Sequence, residues 1–480
     1  MTKVFNVKNF LLLTFFIFVV FPTMCFAVGK RVMPIGLVLA IISFLLLLFN
    51  PKNIILNIKK LYKLMSTKLL IYFSIWAIIS AVFVSVFLHI SLIKMLFSIF
   101  LAIVLSLLLP YFLSFILTRR CDTRFLIKFY TIILYVILFF GLIDFVIYYF
   151  KISPFDTLYN SIIINARLLK TGAVSPDFNI YKSIGIFPRV QSVFEEPSHF
   201  AWFICVNIPI VLSLCLSKYK IFHNKYLNII IKKTMIPVMY ISLIMTQSPI
   251  NIIFAIIISI FYFLTKIKLN KKFVIKIITI LFVSLIIVIF LINRTMNADI
   301  NNTFFYRIKM VLLYTRSFYD LVHIEASLAT RLNYYAIMFN IFEKYPIFGC
   351  GWGNLGQYLF LEIPKTSIPL TEEIIIKYAN TIKPNDFGYC VSIFFRTIAE
   401  TGLIGIILLF AFFIKIKQYL KYLKEKSYFL TKDFYFGIEQ TILLYIIFSF
   451  YDSNLYIEYF WFLFGTIAGL YYICKKSVRG

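Results

Sequence analysis

Apolar runs of about 20 residues, the length that crosses a bilayer as a helix, recur along most of this chain. Shorter polar segments separate them, without the short alternating strands of a membrane barrel. The runs predict twelve spans, at roughly 9–28, 34–50, 69–89, 92–117, 129–150, 198–217, 234–247, 249–265, 273–293, 403–420, 434–451 and 456–473. The pattern therefore predicts an all-α, polytopic membrane protein.

The polar segments predict the rest of the organisation. Residues 1–480 are expected to form a single integral membrane domain with two large loops, at 151–197 and 294–402. A loop as long as the second is usually functional or structured in its own right. Its segments 304–318 and 328–343 have near-helical apolar spacing, which predicts helices that lie on the membrane surface or pack over the bundle.

Two parts of this prediction are open. The segments 234–247 and 249–265 form either two spans or one re-entrant element that Pro249 breaks. Residues 1–27 resemble a signal peptide, because Lys3 and Lys8 precede an apolar core. A retained first span is favoured, since it gives an even helix count that fits every later loop.

Charge adds an orientation. The chain is 61% apolar and 14% charged, and its net charge of +28 could indicate nucleic-acid binding. However, 30 Lys and Arg against three acidic residues lie in the termini and in the loops near 51–68, 118–128, 218–233, 266–276 and 415–433. The two large loops hold 15 Lys and Arg against 13 Asp and Glu. Positive loops stay in the cytoplasm, so both termini are predicted to be cytoplasmic and nucleic acid is not an expected partner.

Arginine is enriched in the two loops predicted to lie outside. Seven of their 15 basic residues are Arg, against four of 30 on the cytoplasmic side. A guanidinium grips phosphate in bidentate fashion, whereas an ammonium acts as a point charge. This favours an anionic ligand such as a lipid diphosphate; contact with lipid headgroups is the bland explanation. Arg189, Arg331 and Arg396 are the leading candidates, because each lies beside another motif.

The first motif is FPRVQSVFEEPSHFAWF, at 187–203. Ionisable groups at the edge of a bilayer are expensive and indicate a functional site. Pro197 suits a first helical turn, and a helix N-terminus favours acidic residues, so a plain cap explains Glu195 well. Glu196 and His199 are three residues apart and share a helix face, so either could position or deprotonate a hydroxyl group. A packed histidine is the alternative for His199.

The second motif is RLNYYAIMFNIFEKYPIFGCGWGNLGQY, at 331–358. Its GWGNLG matches a dinucleotide-binding pattern, but no strand–helix–strand context surrounds it and it lies in an outside loop, so we reject that interpretation. The glycines predict a tight turn that lets backbone approach backbone or ligand, with a mere turn after Pro346 as the alternative. Gly351, Gly353 and Asn354 are therefore candidate substrate-binding residues.

The third motif is FFRTIAETGLIGIILLF, at 394–410. Arg396 and Glu400 are spaced i,i+4 and can pair on one helix face, as an ordinary helix-end ion pair also would. The seven cysteines match no metal spacing. Cys350 and Cys390 share an outside loop, which leaves a disulfide open.

These three motifs, in this order and topology, resemble the superfamily of bacterial O-antigen polymerases and O-antigen ligases. The likeness covers roughly 185–410 and rests on EPSHFA, on RLNYYAIMFNIFEKYPIFGCGWGN and on RTIAETGLIGI. It departs from the ligase pattern at 383–390, KPNDFGYC, where ligases carry a His-Asn pair. Because the histidine matters in ligases, its absence favours a repeat-unit polymerase for a capsule, an exopolysaccharide or O-antigen.

The resemblance implies a glycosyltransferase of the bacterial plasma membrane that uses an undecaprenyl-diphosphate-linked oligosaccharide and works beside a flippase and a chain-length regulator. The outer loops contain no Asp-x-Asp pair, so no metal is expected, and no cofactor is expected either. The resemblance also implies catalytic roles for Glu196, His199, Arg189 and Arg331. The implied substrate-binding residues are Glu195, Arg396, Glu400, Gly351, Gly353 and Asn354. Three alternatives remain: a ligase, a flippase or transporter of the same glycan lipid, and a structural scaffold.

Overall fold

The structure is a computed structural model. It describes residues 25–28, 31–34, 41–45, 51–88, 91–121, 123–150, 190, 197–217, 220–246, 248–266, 326–365, 369–381, 392–426, 430–450 and 458–479. Among these residues, five helices are long and apolar enough to cross a membrane, at Met65–Phe87, Thr123–Ile147, His199–Leu216, Lys225–Met245 and Ile393–Lys426. The chain is therefore a helical, membrane-integral protein, as predicted. The predicted span 273–293 and most of 9–28 lie outside the described residues.

The helices before residue 267 account for most of the predicted spans in that part of the chain. They are α1 Pro51–Tyr62, α2 Met65–Leu88, α3 Leu92–Ile99, α4 Leu109–Arg120, α5 Thr123–Tyr149, α6 Pro197–Leu216, α7 Lys225–Met245 and α8 Pro249–Lys266. A π-helical segment, Phe100–Leu108, joins α3 to α4, so the predicted span 92–117 is one continuous helical rod. In this segment the Leu109 N–H donates to the Val104 carbonyl, five residues back.

The helices after residue 325 include three inside the segment that was predicted as the second large loop. They are α9 Ala326–Lys344, α10 Leu355–Glu362, α11 Glu372–Asn380, α12 Ile393–Lys426, α13 Lys432–Ser449 and α14 Glu458–Arg479. The helix predicted at 328–343 is present as α9, whereas 304–318 lies outside the described residues. α9, α10 and α11 enclose their own apolar cluster around Tyr334, Ile341 and Leu359.

The start of the chain differs from the prediction. Cys25–Val28 and Arg31–Pro34 form strands β1 and β2 of an antiparallel hairpin, with Val28 opposite Arg31. Residues 25–28 are therefore not the end of a helical span, and residue 34 does not begin the next one. The physical reason lies in the strand residues, because Phe26, Val28 and Val32 are aromatic or β-branched and favour paired strands.

Two segments predicted as basic loops are partly helical. The segment 51–68 holds α1 and the start of α2, and α7 already begins at Lys225 within 218–233. Pro51 stands at the first helical position of α1, which a proline tolerates. The Asn224 side chain caps α7 by accepting the N–H groups of Tyr226 and Leu227. Lysine is a good helix former, so basic composition does not prevent these helices.

The segments on either side of Pro249 are two separate helices. They contact each other through the Tyr240 hydroxyl of α7, which is hydrogen-bonded to the Ser259 hydroxyl of α8. Both helices pack on α6. Of these two helices, α7 is among the five that are long and apolar enough to cross a membrane, and α8 contains a shorter apolar stretch at Phe254–Thr265.

Glycines bring helices of the bundle into close contact. Gly465 and Gly469, one turn apart in α14, face α4, where a Cβ on Gly465 would overlap the Tyr111 carbonyl oxygen. In the same way, a Cβ on Gly437 of α13 would lie 2.7 Å from the Pro209 carbonyl oxygen of α6. Without a hydrophobic drive between helices in lipid, such close backbone approach supplies the packing energy.

Candidate functional site

The second motif forms a tight loop at residues 345–354. Gly349, Gly351 and Gly353 have φ values of 68°, 80° and 87°. A side chain at these positive φ values would clash with its own backbone, whereas glycine adopts them freely. The predicted tight turn is therefore confirmed.

This glycine loop docks on a kink in α12. The helix is interrupted at Gly402, whose φ is 65°. The Leu403 N–H donates to the Pro346 carbonyl, and the Cys350 N–H donates to the Ala399 carbonyl, each at 2.8 Å. A Cβ on Gly402 would overlap the Ile347 carbonyl, so only glycine permits this approach. The second and third motifs thus meet backbone to backbone.

Glu400 connects the two motifs through its side chain. The Gly353 N–H donates to its Oε1 at 3.1 Å, and Arg396 Nε donates to its Oε2 at 3.0 Å. Glu400 is fully buried and Arg396 is 7% exposed. The predicted Arg396–Glu400 pair is therefore present. A buried charge is stable only when it is paired and hydrogen-bonded, so both contacts of Glu400 matter.

Two buried polar atoms lie beside this ion pair. The Arg396 guanidinium stacks over the Trp352 ring at 5.2 Å. Trp352 Nε1 and Thr397 Oγ1, both buried, have no hydrogen-bond partner among the residues that the structure describes. Buried polar atoms are normally hydrogen-bonded, so their partners are expected in the rest of the chain or in solvent.

Helix α2 supports the kink. Trp76 Nε1 donates to the Thr401 carbonyl at 2.8 Å, and the Ser80 hydroxyl donates to the Glu400 carbonyl at 3.1 Å. A non-helical residue at 402 interrupts the helical hydrogen-bond ladder, and these side chains satisfy carbonyls that the kink exposes. Sequence analysis missed Trp76 and Ser80. Their only signal was a Trp and a Ser inside an otherwise apolar span.

The floor of the loop contacts the start of the helical rod. Asn354 donates from Nδ2 to the Met95 sulfur at 2.9 Å and to the Cys350 carbonyl at 3.3 Å. A Cβ on Gly351 would lie 3.0 Å from the Val84 Cβ. These two candidate residues therefore face α2 and α3, and Asn354 is buried.

Cys350 is a buried free thiol in the glycine loop. Burial and the nearby Glu400 charge raise the pKa of this thiol well above its usual value. The thiol is therefore protonated near neutral pH, which makes it a poor nucleophile. Cys390 lies outside the described residues.

Arg331 lies in the second turn of α9, near the contact between the glycine loop and the α12 kink, which we call the joint. One turn further along α9, the Tyr335 ring stacks on the Phe395 ring with centroids 4.4 Å apart. Arg331 is half-buried and belongs to the part of α9 nearest the start of α12. The glycine loop contacts α12 at residues 399–403, so Arg331 lies towards the opposite side of Arg396 from this loop.

The first motif is only partly described. His199 is half-buried in the first turn of α6. Arg189, Glu195 and Glu196 lie outside the described residues. The neighbour of Arg189, Val190, is buried, and its N–H donates to the Met245 carbonyl at 3.0 Å.

The end of α13 bridges the first and third motifs. The Ser392 hydroxyl, just before α12, donates to the Ser449 carbonyl at 2.7 Å. In α6, Trp202 packs edge-on against Phe448 with ring centroids 6.1 Å apart. His199 is therefore at the same end of the bundle as Arg396.

Five of the candidate residues converge at the joint: Gly351, Gly353, Asn354, Arg396 and Glu400. His199 is in the first turn of α6 and Arg331 in the second turn of α9.

The second and third motifs lie in a region that matches a known protein family. Residues 235–410 match the family described as O-Antigen ligase. The match runs from α7 to the middle of α12 and contains Arg331, the glycine loop and the Arg396–Glu400 pair; the first motif precedes it. The resemblance to the O-antigen polymerase and ligase superfamily is confirmed over this range. A search of curated proteins gives no match to the chain.

Proposed function

We propose that this membrane protein, with its O-antigen ligase-type region at 235–410, polymerises lipid-diphosphate-linked oligosaccharide repeat units at the outer face of the bacterial plasma membrane. The broader class, a membrane glycosyltransferase-like enzyme of polysaccharide biosynthesis, follows from the family match and the membrane-spanning helices. The observation that carries the proposal is the joint between the glycine loop and α12, because its buried ion pair lies inside the matched range.

The proposed reaction is a glycosyl transfer. A hydroxyl oxygen of one repeat unit attacks the anomeric carbon of another, which is linked to undecaprenyl diphosphate. The new C–O bond forms as the bond from that carbon to the diphosphate breaks, and its electron pair leaves with the diphosphate. The acceptor hydroxyl gives its proton to a base, so the protein must stabilise the leaving charge and hold the acceptor.

The residue roles are proposed from the charge of each side chain and from its place in the sequence motifs. Arg189 and Arg331 bind the departing diphosphate, because a guanidinium matches phosphate oxygens in bidentate fashion. Glu196 takes the acceptor proton, with His199 as its partner or substitute. Arg396 is nearly buried and paired, so we assign Arg396 and Glu400 to positioning the glycine loop beside the substrate.

Ligation is the second candidate. The family description favours it, whereas the KPNDFGYC segment at 383–390, without histidine, favours polymerisation. That segment lies outside the described residues.

Surface polysaccharide from a strain that lacks this protein distinguishes the candidates. Loss of a polymerase leaves single repeat units, which is the expected result. Loss of a ligase leaves polymer that is not attached to its acceptor, and loss of a flippase leaves repeat units on the inner face. Either of the last two results, restored by the wild-type gene, would contradict polymerisation.

A further inference from the structure

A group of basic side chains converges at the end of the bundle opposite the glycine loop. Arg119, at the end of α4, is hydrogen-bonded to the Asn57 side chain of α1. Its guanidinium also lies over the Tyr472 ring of α14 at 5.4 Å. Lys60 is three residues after Asn57 and Lys476 is four after Tyr472, so each lysine shares a helix face with an Arg119 contact.

The three cations have no acidic neighbours in the elements that carry them. The residues of α1 and α4, and those of α14 after Glu458, include no Asp or Glu. Burial, together with Arg119 and Lys476, lowers the pKa of Lys60, which agrees with the closeness of the three groups. An external anion would relieve this repulsion.

Arg119 is held in place before any ligand arrives. Besides Asn57 and Tyr472, the Phe115 ring lies 5.9 Å from its guanidinium. A guanidinium that is fixed by hydrogen bonding and ring stacking loses little further freedom when it binds a phosphate.

The surface of α1 indicates that this anion belongs to a lipid. Ile55, Ile58 and Tyr62 form a stripe along α1, and each is about half exposed. Lys59 and Lys63 stand beside the stripe and are exposed. A short helix with an exposed apolar stripe and flanking lysines is typical of a helix that lies in the membrane interface, at the level of the headgroups.

We propose that Lys60, Arg119 and Lys476 form a binding site for the phosphodiester headgroup of an anionic phospholipid, with α1 resting in the interface beside it. Basic pockets between membrane helices bind anionic headgroups in this way. The site is at the other end of the bundle from the candidate catalytic residues and does not depend on the proposed function.

Thermal unfolding of the purified full-length protein in detergent tests the site. Phosphatidylglycerol should raise the unfolding temperature of the wild type, whereas phosphatidylcholine and inorganic phosphate should not. Lys476→Gln, at an exposed position, should unfold at the wild-type temperature when no lipid is added and should remove at least half of the phosphatidylglycerol shift. Arg119→Gln should remove more of it, and Lys417→Gln, at an exposed lysine of α12, should keep it in full.

Two results would overturn the proposal. An equal phosphatidylglycerol shift in the wild type and in Lys476→Gln would show that the lipid acts elsewhere. A shift with inorganic phosphate as large as that with phosphatidylglycerol would show a site for soluble phosphate instead of a lipid headgroup.

Discussion

Glu196 immediately precedes α6 in the sequence. A residue that caps the helix and a residue that acts as a catalytic base predict different effects of the same substitution. If Glu196 only caps the helix, Glu196→Gln changes stability by about 0.3–1 kcal/mol and leaves polymer unchanged. If it takes the acceptor proton, the same change lowers the rate roughly 10²–10⁴-fold. We expect long polymer to disappear while the amount of protein in the membrane stays constant, as measured by gel analysis of polysaccharide and immunoblotting. Glu343→Gln, at an exposed glutamate of α9, is the control and should keep its polymer. Normal polymer in Glu196→Gln would remove the catalytic role.

Arg331 is proposed to bind diphosphate. A substitution by lysine tests whether the planar shape of the guanidinium matters in addition to its positive charge. Arg331→Lys keeps the positive charge but loses the planar fork, so polymer formation should fall. The measurement is polymer length and amount in cells that express equal protein. Arg120→Lys, at an exposed arginine at the end of α4, should leave polymer unchanged. Full activity in Arg331→Lys would exclude a bidentate role for this residue.

Glu400 is the residue on which the glycine loop and the α12 kink both depend. Glu400→Gln keeps an acceptor for the Gly353 N–H but removes the charge that pairs with buried Arg396. Removal of one partner of a buried pair typically costs about 3–5 kcal/mol, so the unfolding temperature should fall clearly. Glu343→Gln, at an exposed glutamate of α9, is the control and should leave that temperature unchanged. An unaltered unfolding temperature in Glu400→Gln would show that the pair does not stabilise the joint.

Sequence reasoning at the residue scale succeeded where the contact is local. Arg396 and Glu400 are one helical turn apart, so their pairing could be predicted from spacing alone. The second contact of Glu400, with the Gly353 N–H, crosses 47 positions of the chain and depends on how the loop folds back. No local pattern encodes that distance, and the same holds for Trp76 and Ser80.

At the scale of elements, α14 and α4 pack through glycine. Gly465→Ala places a methyl group against the Tyr111 carbonyl, so the helices must separate. Overpacking of this kind typically costs about 1–3 kcal/mol, which should appear as a lower unfolding temperature. Val478→Ile adds one carbon at an exposed position of the same helix and should have no effect. Equal stability of both variants would mean that the α4–α14 contact tolerates expansion.

Elements were predicted well where hydropathy alone determines them. The spans at 69–89, 129–150 and 198–217 each coincide with one helix, and most of the predicted ends lie within a few residues of the helix ends. The β1–β2 hairpin was missed because β1, CFAV, is as apolar as the rest of the predicted span 9–28, so hydropathy does not distinguish strand from helix there. α1 was missed for the opposite reason, since its lysines resemble a loop.

At the scale of the whole molecule, charge asymmetry predicts which end of the bundle faces the cytoplasm. Cysteines introduced at exposed His223 and Asn380 lie in segments predicted on opposite sides. An impermeant thiol reagent applied to intact cells should label Asn380→Cys, above the background of the native cysteines, and should leave His223→Cys unlabelled. Lysed cells, in which both variants should react, provide the control. Labelling of His223→Cys in intact cells would reverse the orientation.

The π-helical segment determines what the helical rod can contact along its length. Buried Met95, Ile99, Ile103, Leu107 and Tyr111 recur at every fourth residue. In a regular α-helix each such step over-rotates by about 40°, so the stripe would wind away from its partners. A π-helix winds more slowly, because its hydrogen bonds span five residues, and this keeps the stripe on one face. Met95 can therefore contact the glycine loop while Tyr111 bonds to Ser66 of α2.

The π-helical segment also constrains how the length of the chain can change in evolution. A π-helix needs more residues per turn than an α-helix, so it behaves as an insertion that the fold has absorbed without a loop. A relative that lost one residue between 100 and 108 could recover a regular helix, but one end of its rod would rotate relative to the other. Such a relative would have to give up either the contact below the glycine loop or the one with α2. Chain length in this segment is therefore expected to be inherited together with the sequence of the glycine loop.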